Sequence, residues 1–178
     1  MHFDLAVNDV LAHEGGFIDH LNDKGGATAF GISLRFLRGL PDTAGDINGD
    51  GHVDLSDVKG RTKSHAKAFY HQYFWRHYRL GEIRQPAVAV KALNLFVNMR
   101  GKTAALVLQR AVNDCRYGEQ IKVDGIAGSD TLAALNSCKP EHLVPCIQWR
   151  QWEIYKSIVD SDASQRTFIR GWKNRAFA

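Results

Sequence analysis

The chain has 178 residues, 44% of them hydrophobic, with a formal charge of +4 and a pI near 9.0. That length and apolar content suit one compact domain or two intimate lobes and exclude a disordered chain. The modest basic excess fits a polyanionic partner, nucleic acid or bacterial wall, without choosing between them.

Taken in chain order, residues 1–9 carry no basic stretch leading into an apolar run, so no secretory signal is expected, and no apolar run is long enough to span a bilayer. Phe3, Val7, Val10, Leu11 and Glu14 fall at helical spacing and predict a first helix over 3–14, with Glu14 ending the apolar stripe. Gly15 and Gly16 break it. Gly-rich turns and brief extended pieces follow, with a small hairpin expected around 29–33. Helix returns over 64–78, where Phe69, Tyr73 and His77 recur every four residues with Tyr70 and Phe74 beside them. Most aromatics at such spacing belong to a core, although rings here can also stack on sugars. Pro86 suits the first turn of a helix over 87–99, Gly101 interrupts, and 102–115 forms another. Ser129 is expected to cap a short helix over 130–136. Pro140 opens a helical region to about residue 159, and a last short helix ends near Gly171. The fold class is therefore mainly α (α+β), with a small β element. Cys115, Cys138 and Cys146 show no CxxC spacing and read as reduced core residues of a protein made in the cytoplasm.

The chemistry is carried by Glu14-Gly15-Gly16-Phe17 and the run from Asp23 through Gly25-Gly26-Ala27-Thr28-Ala29-Phe30-Gly31-Ile32. Breaking a glycosidic bond needs a carboxylic acid with a raised pKa to protonate the leaving oxygen, and a second polar group to steady the oxocarbenium-like charge or activate water. A glutamate ending an apolar helix stripe suits the first role, with Asp23 and Thr28 on Gly-rich turns for the second. Spacing alone leaves this reading beside a plainer one, in which Glu14 is a solvated helix end and Asp23 a turn former.

These two stretches resemble the signature of glycoside hydrolase family 108, N-acetylmuramidases of phages and bacteria. The family motif reads Glu-Gly-Gly-Tyr, then Asp-Pro-Gly-Gly-Ala-Thr-Asn-Phe/Tyr-Gly-Ile, and its Glu is regarded as catalytic. The resemblance implies that role for Glu14 and a lysozyme-like fold with a hairpin near the active site. Phe17, Lys24 and Ala29 replace the family's Tyr, Pro and Asn, which removes two polar groups. The Glu, Asp, Thr order is also similar to the triad of phage-type lysozymes, which extends the implied catalytic set to Asp23 and Thr28. Ala105-Leu106-Val107-Leu108-Gln109-Arg110-Ala111-Val112-Asn113, Val123-Asp124-Gly125-Ile126-Ala127-Gly128 and Thr131-Leu132-Ala133-Ala134-Leu135 resemble the peptidoglycan-binding region found behind that catalytic segment. Val97-Asn98 and Gly171-Trp172-Lys173-Asn174-Arg175 are similar to family motifs too. Tyr73 and Asn98 are taken as candidate substrate contacts. The implied organisation is a catalytic segment over 1–83 with an insertion at 42–63, and a helical peptidoglycan-binding lobe over 84–178 packed with it as one compact unit.

The insertion has a pattern of its own. Asp46-Ile47-Asn48-Gly49-Asp50-Gly51-His52-Val53-Asp54-Leu55-Ser56-Asp57 matches a twelve-residue calcium loop. Asp46, Asn48 and Asp50 supply oxygens at positions 1, 3 and 5, Gly51 the sharp turn, His52 its carbonyl, Asp54 a water-mediated contact and Asp57 the closing carboxylate. An EF-hand closes with Glu; dockerin-type loops resemble this one in ending with Asp. One calcium site is expected, and the plainer alternative is a solvated acidic turn.

The leading expectation is thus an endolysin-type muramidase acting as a monomer on peptidoglycan, with calcium as cofactor. It would be made in the host cytoplasm and act at the periplasm or wall after export or lysis. A non-catalytic wall-binding or secretion-accessory protein and a lytic transglycosylase remain as alternatives. Nucleic acid is not expected as a partner, because the basic residues are dispersed and no groove-reading motif is present; nor is stable membrane association.

Overall fold

The structure is a computed structural model that describes residues 2–13, 17, 27–41, 44–116 and 118–178. Its described elements are helices apart from one two-stranded antiparallel sheet, the mainly α class expected. They divide into two compact units, one of Val7–Tyr73 and one of Met1–Ala6 with Phe74–Ala178. Among the described residues no helix is long and apolar enough to cross a membrane.

Helix α1 spans His2–His13 and buries Val7, Val10 and Leu11 of the predicted stripe together with Ala6, while Phe3 is half-buried. Within the Val7–Tyr73 unit, strands β1 (Thr28–Ala29) and β2 (Ile32–Ser33) pair Thr28 with Ser33 and Ala29 with Ile32. The two residues between them, Phe30 and Gly31, both have positive φ, 52° and 77°. A two-residue hairpin turn of the primed type requires this. Ser33 then caps α2 (Leu34–Arg38) by accepting from the Phe36 amide at 3.1 Å. Helix α3 (Leu55–Lys59) ends at Gly60, and α4 (Lys63–Tyr70) starts from a reciprocal Thr62–His65 capping box. The helix expected over 64–78 stops being α at Tyr70: His71–Arg76 widens into a π-helical turn, the conformation that inserts an extra residue into a helix and redirects its faces.

In the Phe74–Ala178 unit, α5 (Pro86–Asn98) begins on Pro86 as its sequence indicates. Helix α6 (Gly101–Cys115) includes Gly101 as its first residue; the Tyr78 hydroxyl packs where a side chain there would stand. Helix α7 (Ser129–Ser137) is preceded by Gly128 with no side-chain cap. Ser129 is therefore not the cap expected: it starts the helix, and its hydroxyl accepts from Arg79 at 3.1 Å. Helix α8 (Pro140–Ser161) is the longest. Helix α9 (Ile169–Phe177) runs past the expected end at Gly171, because Trp172 stacks between Tyr155 of α8 and Phe168, with ring centroids 5.1 and 5.9 Å away. The terminal Gly-Trp-Lys-Asn-Arg stretch thus works by docking one helix on another.

Candidate functional site

Of the implied catalytic residues, Thr28 is described, while Glu14 and Asp23 lie outside the described residues. Thr28 sits half-buried in β1, where pairing with Ser33 fixes its backbone. The hairpin is held at both ends. The Leu34 amide donates to the Ala27 carbonyl at 2.9 Å, and the Tyr70 hydroxyl donates to the Phe30 carbonyl at 2.8 Å. Tyr70 is fully buried on α4, so a side chain forty residues away pins the turn beside Thr28. Tyr70→Phe keeps the ring and deletes the bond, and is expected to cost about 1 kcal/mol, or roughly 2–4 °C in Tm. Calorimetry checks this; an unchanged Tm would mean the bond contributes nothing.

Tyr73 is half-buried in the same unit, with its ring 4.7 Å from that of Phe69. Phe69 in turn meets Phe36 edge-on at 5.5 Å and carries the Arg61 guanidinium at 5.6 Å. Phe69 and Tyr70 are core, whereas Tyr73 is half-buried and Phe36 exposed. Asn98 belongs to the other unit. It ends α5, and its amide donates to the Asn94 carbonyl at 2.8 Å.

The 46–57 loop is dense in side-chain to backbone bonds. Asp46 accepts from the amides of Gly49 at 2.7 Å and Gly51 at 2.9 Å, Asn48 from Asp50 at 2.9 Å, and Asp50 from His52 at 2.9 Å. Gly49 and Gly51 have φ of 78° and 85° with open space around them, so backbone conformation, not crowding, favours glycine there. Asp57 is 0% exposed. Its two oxygens accept from Ile47 at 2.8 Å and Asp54 at 2.9 Å, tying the loop's ends together. Asp54 caps α3 in the same capping box. The Gly51 amide, above all, lowers the Asp46 pKa, and the Ser56 hydroxyl that of Asp54. Burial lowers that of Arg61 against the opposing pull of Asp57. The His52 side chain is exposed. Among the described residues no three His, Cys, Asp or Glu side chains are grouped as a metal cluster. The loop's donor set is instead carboxylate, amide and carbonyl oxygen, which suits a hard cation.

In the Phe74–Ala178 unit, Gln109 of α6 is 2% exposed and organises the segment before α7. Its amide nitrogen faces Asp124 Oδ1, the Ile126 carbonyl and Thr131 Oγ1 at 2.9, 3.0 and 3.1 Å, and its oxygen accepts from Gly125 at 2.8 Å. One turn on, Asn113 exchanges both of its amide groups with the Ile121 backbone at 2.9 Å. The Gln109 amide, above all, lowers the Asp124 pKa. This segment borders a cavity of about 590 Å³ whose walls include Arg116, Glu119, Lys122 and Asp130. The sequence reading passed over Gln109 and Asn113 as site builders. The available signal was two amides four residues apart on an otherwise apolar helix face.

A family model described as Glycosyl hydrolase 108 matches residues 4–99. The chain belongs to this family. A second model, described as Predicted Peptidoglycan domain, matches residues 103–177 of the family 108 protein. Among solved structures, that of Brucella abortus SagA matches at 25% identity with a TM-score of 0.73, covering 98% of this chain and 88% of that one. No curated protein sequence matches significantly. The resemblances read from 14–32 and from 105–135 are thus borne out at the level of family and region. The protein is a glycoside hydrolase of lysozyme-like, mainly α fold, of the muramidase type that degrades peptidoglycan.

Proposed function

We propose that this family 108 hydrolase is an endolysin-type N-acetylmuramidase that cuts the β-1,4 bond from N-acetylmuramic acid to N-acetylglucosamine. The observation that carries the reading is the family match spanning the Glu14 to Thr28 signature, followed directly by a peptidoglycan domain. Protonated Glu14 gives its proton to the bridging oxygen as the bond to the muramic-acid anomeric carbon breaks. Asp23 steadies the developing positive charge or activates water, and Thr28, fixed in β1, orients that water or the sugar. Water adds to the anomeric carbon and leaves a reducing muramic-acid end. Tyr73 and Asn98 contact the glycan, and the reaction takes place at the wall after export or lysis. Mass spectrometry of purified peptidoglycan after digestion tests this. Reducing muramic-acid ends are expected; anhydro ends would make the enzyme a lytic transglycosylase, and no soluble fragments a binding protein.

The second part of the reading is one calcium ion in the 46–57 loop, held by oxygens of Asp46, Asn48, Asp50 and Asp57 and the His52 carbonyl. Alternating oxygen donors and two glycines of positive φ favour it. The ion would offset repulsion among clustered carboxylates. Binding only the folded form at a hundredfold excess over Kd would add about 2.7 kcal/mol, or roughly 5–10 °C in Tm. Titration calorimetry, with melting in chelator and then in calcium, checks this against Asp46→Ala/Asp50→Ala. No heat of binding and no shift in the wild type would reject the site.

A further inference from the structure

Three thiols that the hydrolysis does not use meet at one place in the Phe74–Ala178 unit. Cys115 is the last residue of α6, Cys138 follows α7, and Cys146 lies in the second turn of α8. All three line one cavity of about 790 Å³, with Asp114, Lys139 and His142 among its other walls. Cys138 is buried, while Cys115 and Cys146 are half-buried and within reach of a small reagent. The Cys138 thiol lies near enough to Cys115 to raise its pKa. Beside them, Arg150 of α8 grips Asp114 with two bonds of 2.5 and 2.6 Å, which holds the end of α6 in place. Among the described residues no group of three such side chains is arranged to hold a metal, so a thiolate metal centre is not the better use of this cluster.

We propose that Cys115 and Cys138 are a disulfide-forming pair that staples the C-terminal ends of α6 and α7 together in an oxidising compartment, leaving Cys146 as a free thiol. Both thiols line the same cavity at the ends of α6 and α7, so closure needs the two sulfurs to approach to bonding distance and the loss of two hydrogens. With oxidised glutathione, the Cys115 thiolate attacks one sulfur and expels a glutathione thiolate. The deprotonated Cys138 then attacks the Cys115 sulfur of the mixed disulfide and expels the second. The protein gives up two protons and two electrons, and the oxidant's disulfide becomes two thiols. Burial, and then the nearby Cys138 thiol, raise the Cys115 pKa to about 11, so the reactive Cys115 thiolate is scarce near neutral pH and the bridge forms slowly there. The staple would close residues 116–137, including α7 and the segment organised by Gln109, into a covalent loop. Only the compartment rests on the wall-acting reading; the pair does not.

The test uses the full chain, incubated reduced or with oxidised glutathione, unfolded in N-ethylmaleimide, and analysed by intact mass and peptide mapping. Wild type should lose two hydrogens and keep one alkylated thiol, with the bridge mapped to Cys115 and Cys138. Its Tm should rise by roughly 5–10 °C through restriction of the unfolded chain. Cys146→Ser should behave the same with no thiol left, and Cys115→Ser should show neither bridge nor Tm rise. Three alkylated thiols in the oxidised wild type, only glutathione adducts, or a bridge from Cys115 to Cys146 would overturn the proposal. Wall hydrolysis is assayed on the same samples, so failure of the muramidase reading is seen separately.

Discussion

Glu14→Gln is expected to fold as the wild type does and to lose wall hydrolysis by roughly 10²–10⁴-fold, the usual contribution of a positioned general acid. The amide keeps nearly the same volume and hydrogen-bonding reach but has no proton to give at the pH of the assay. Melting temperature and turbidity loss of purified wall, measured together, separate chemistry from folding. Asp23→Asn and Thr28→Ala are expected to lower kcat more than they raise KM, since both are assigned to the reacting centre and not to distant binding. A Glu14→Gln enzyme within a few-fold of wild type would remove Glu14 from the role. Near-normal turnover in both of the other variants would leave Glu14 with a different partner.

Gln109→Leu is expected to be the most damaging single change in the peptidoglycan domain. Leucine fits a buried helix position by volume, so a cavity is not the cause. The damage comes from four groups that converge on the amide, the Asp124 carboxylate, the Ile126 carbonyl, the Thr131 hydroxyl and the Gly125 amide. Leaving even one buried polar group unmatched costs about 1–3 kcal/mol, so a loss near 3 kcal/mol is expected, or roughly 6–12 °C in Tm. Backbone relaxation at Gly125 is limited. Its φ is 78°, and a side chain there would run into Lys102. Differential scanning calorimetry and binding to insoluble peptidoglycan give the two readouts. A Tm within 2 °C of wild type would show that water replaces the amide at little cost, and that the segment is organised by other groups.

The long helices were legible because their signals are local. Val7, Val10 and Leu11 mark α1 by spacing, and Pro86 and Pro140 open α5 and α8 where a missing amide proton costs nothing. Tertiary contacts overrode local signals elsewhere. The helix after Lys63 changes to a π turn at His71, and α9 continues past Gly171 because Trp172 finds a stack. Ser129 looked like a cap and instead serves Arg79. In the candidate site, the hairpin bearing Thr28 was legible from its turn residues, but its tether from Tyr70 was not, since no local rule links residues forty apart. Glu14 and Asp23 were read from resemblance more than from spacing. The 46–57 loop showed its oxygen pattern plainly, while the closing of the loop by Asp57 on Ile47 and Asp54 emerged only from geometry.

The division of the chain has a consequence for the order of assembly during synthesis. Val7–Tyr73 is continuous in sequence, whereas the other unit gathers Met1–Ala6 with Phe74–Ala178. On a ribosome the first unit is fully available once residue 73 has emerged. Phe3 must wait for Trp75, its edge-on partner at 5.4 Å, and the second unit for α9, which brings the Trp172 stack and the carbonyl that Lys91 reaches at 3.3 Å. Folding is therefore staggered, with an early local step and a late closure of high contact order. A nascent chain halted before α9 would present the apolar flank of α8 to solvent, which makes this stage the one most exposed to aggregation and to chaperone capture.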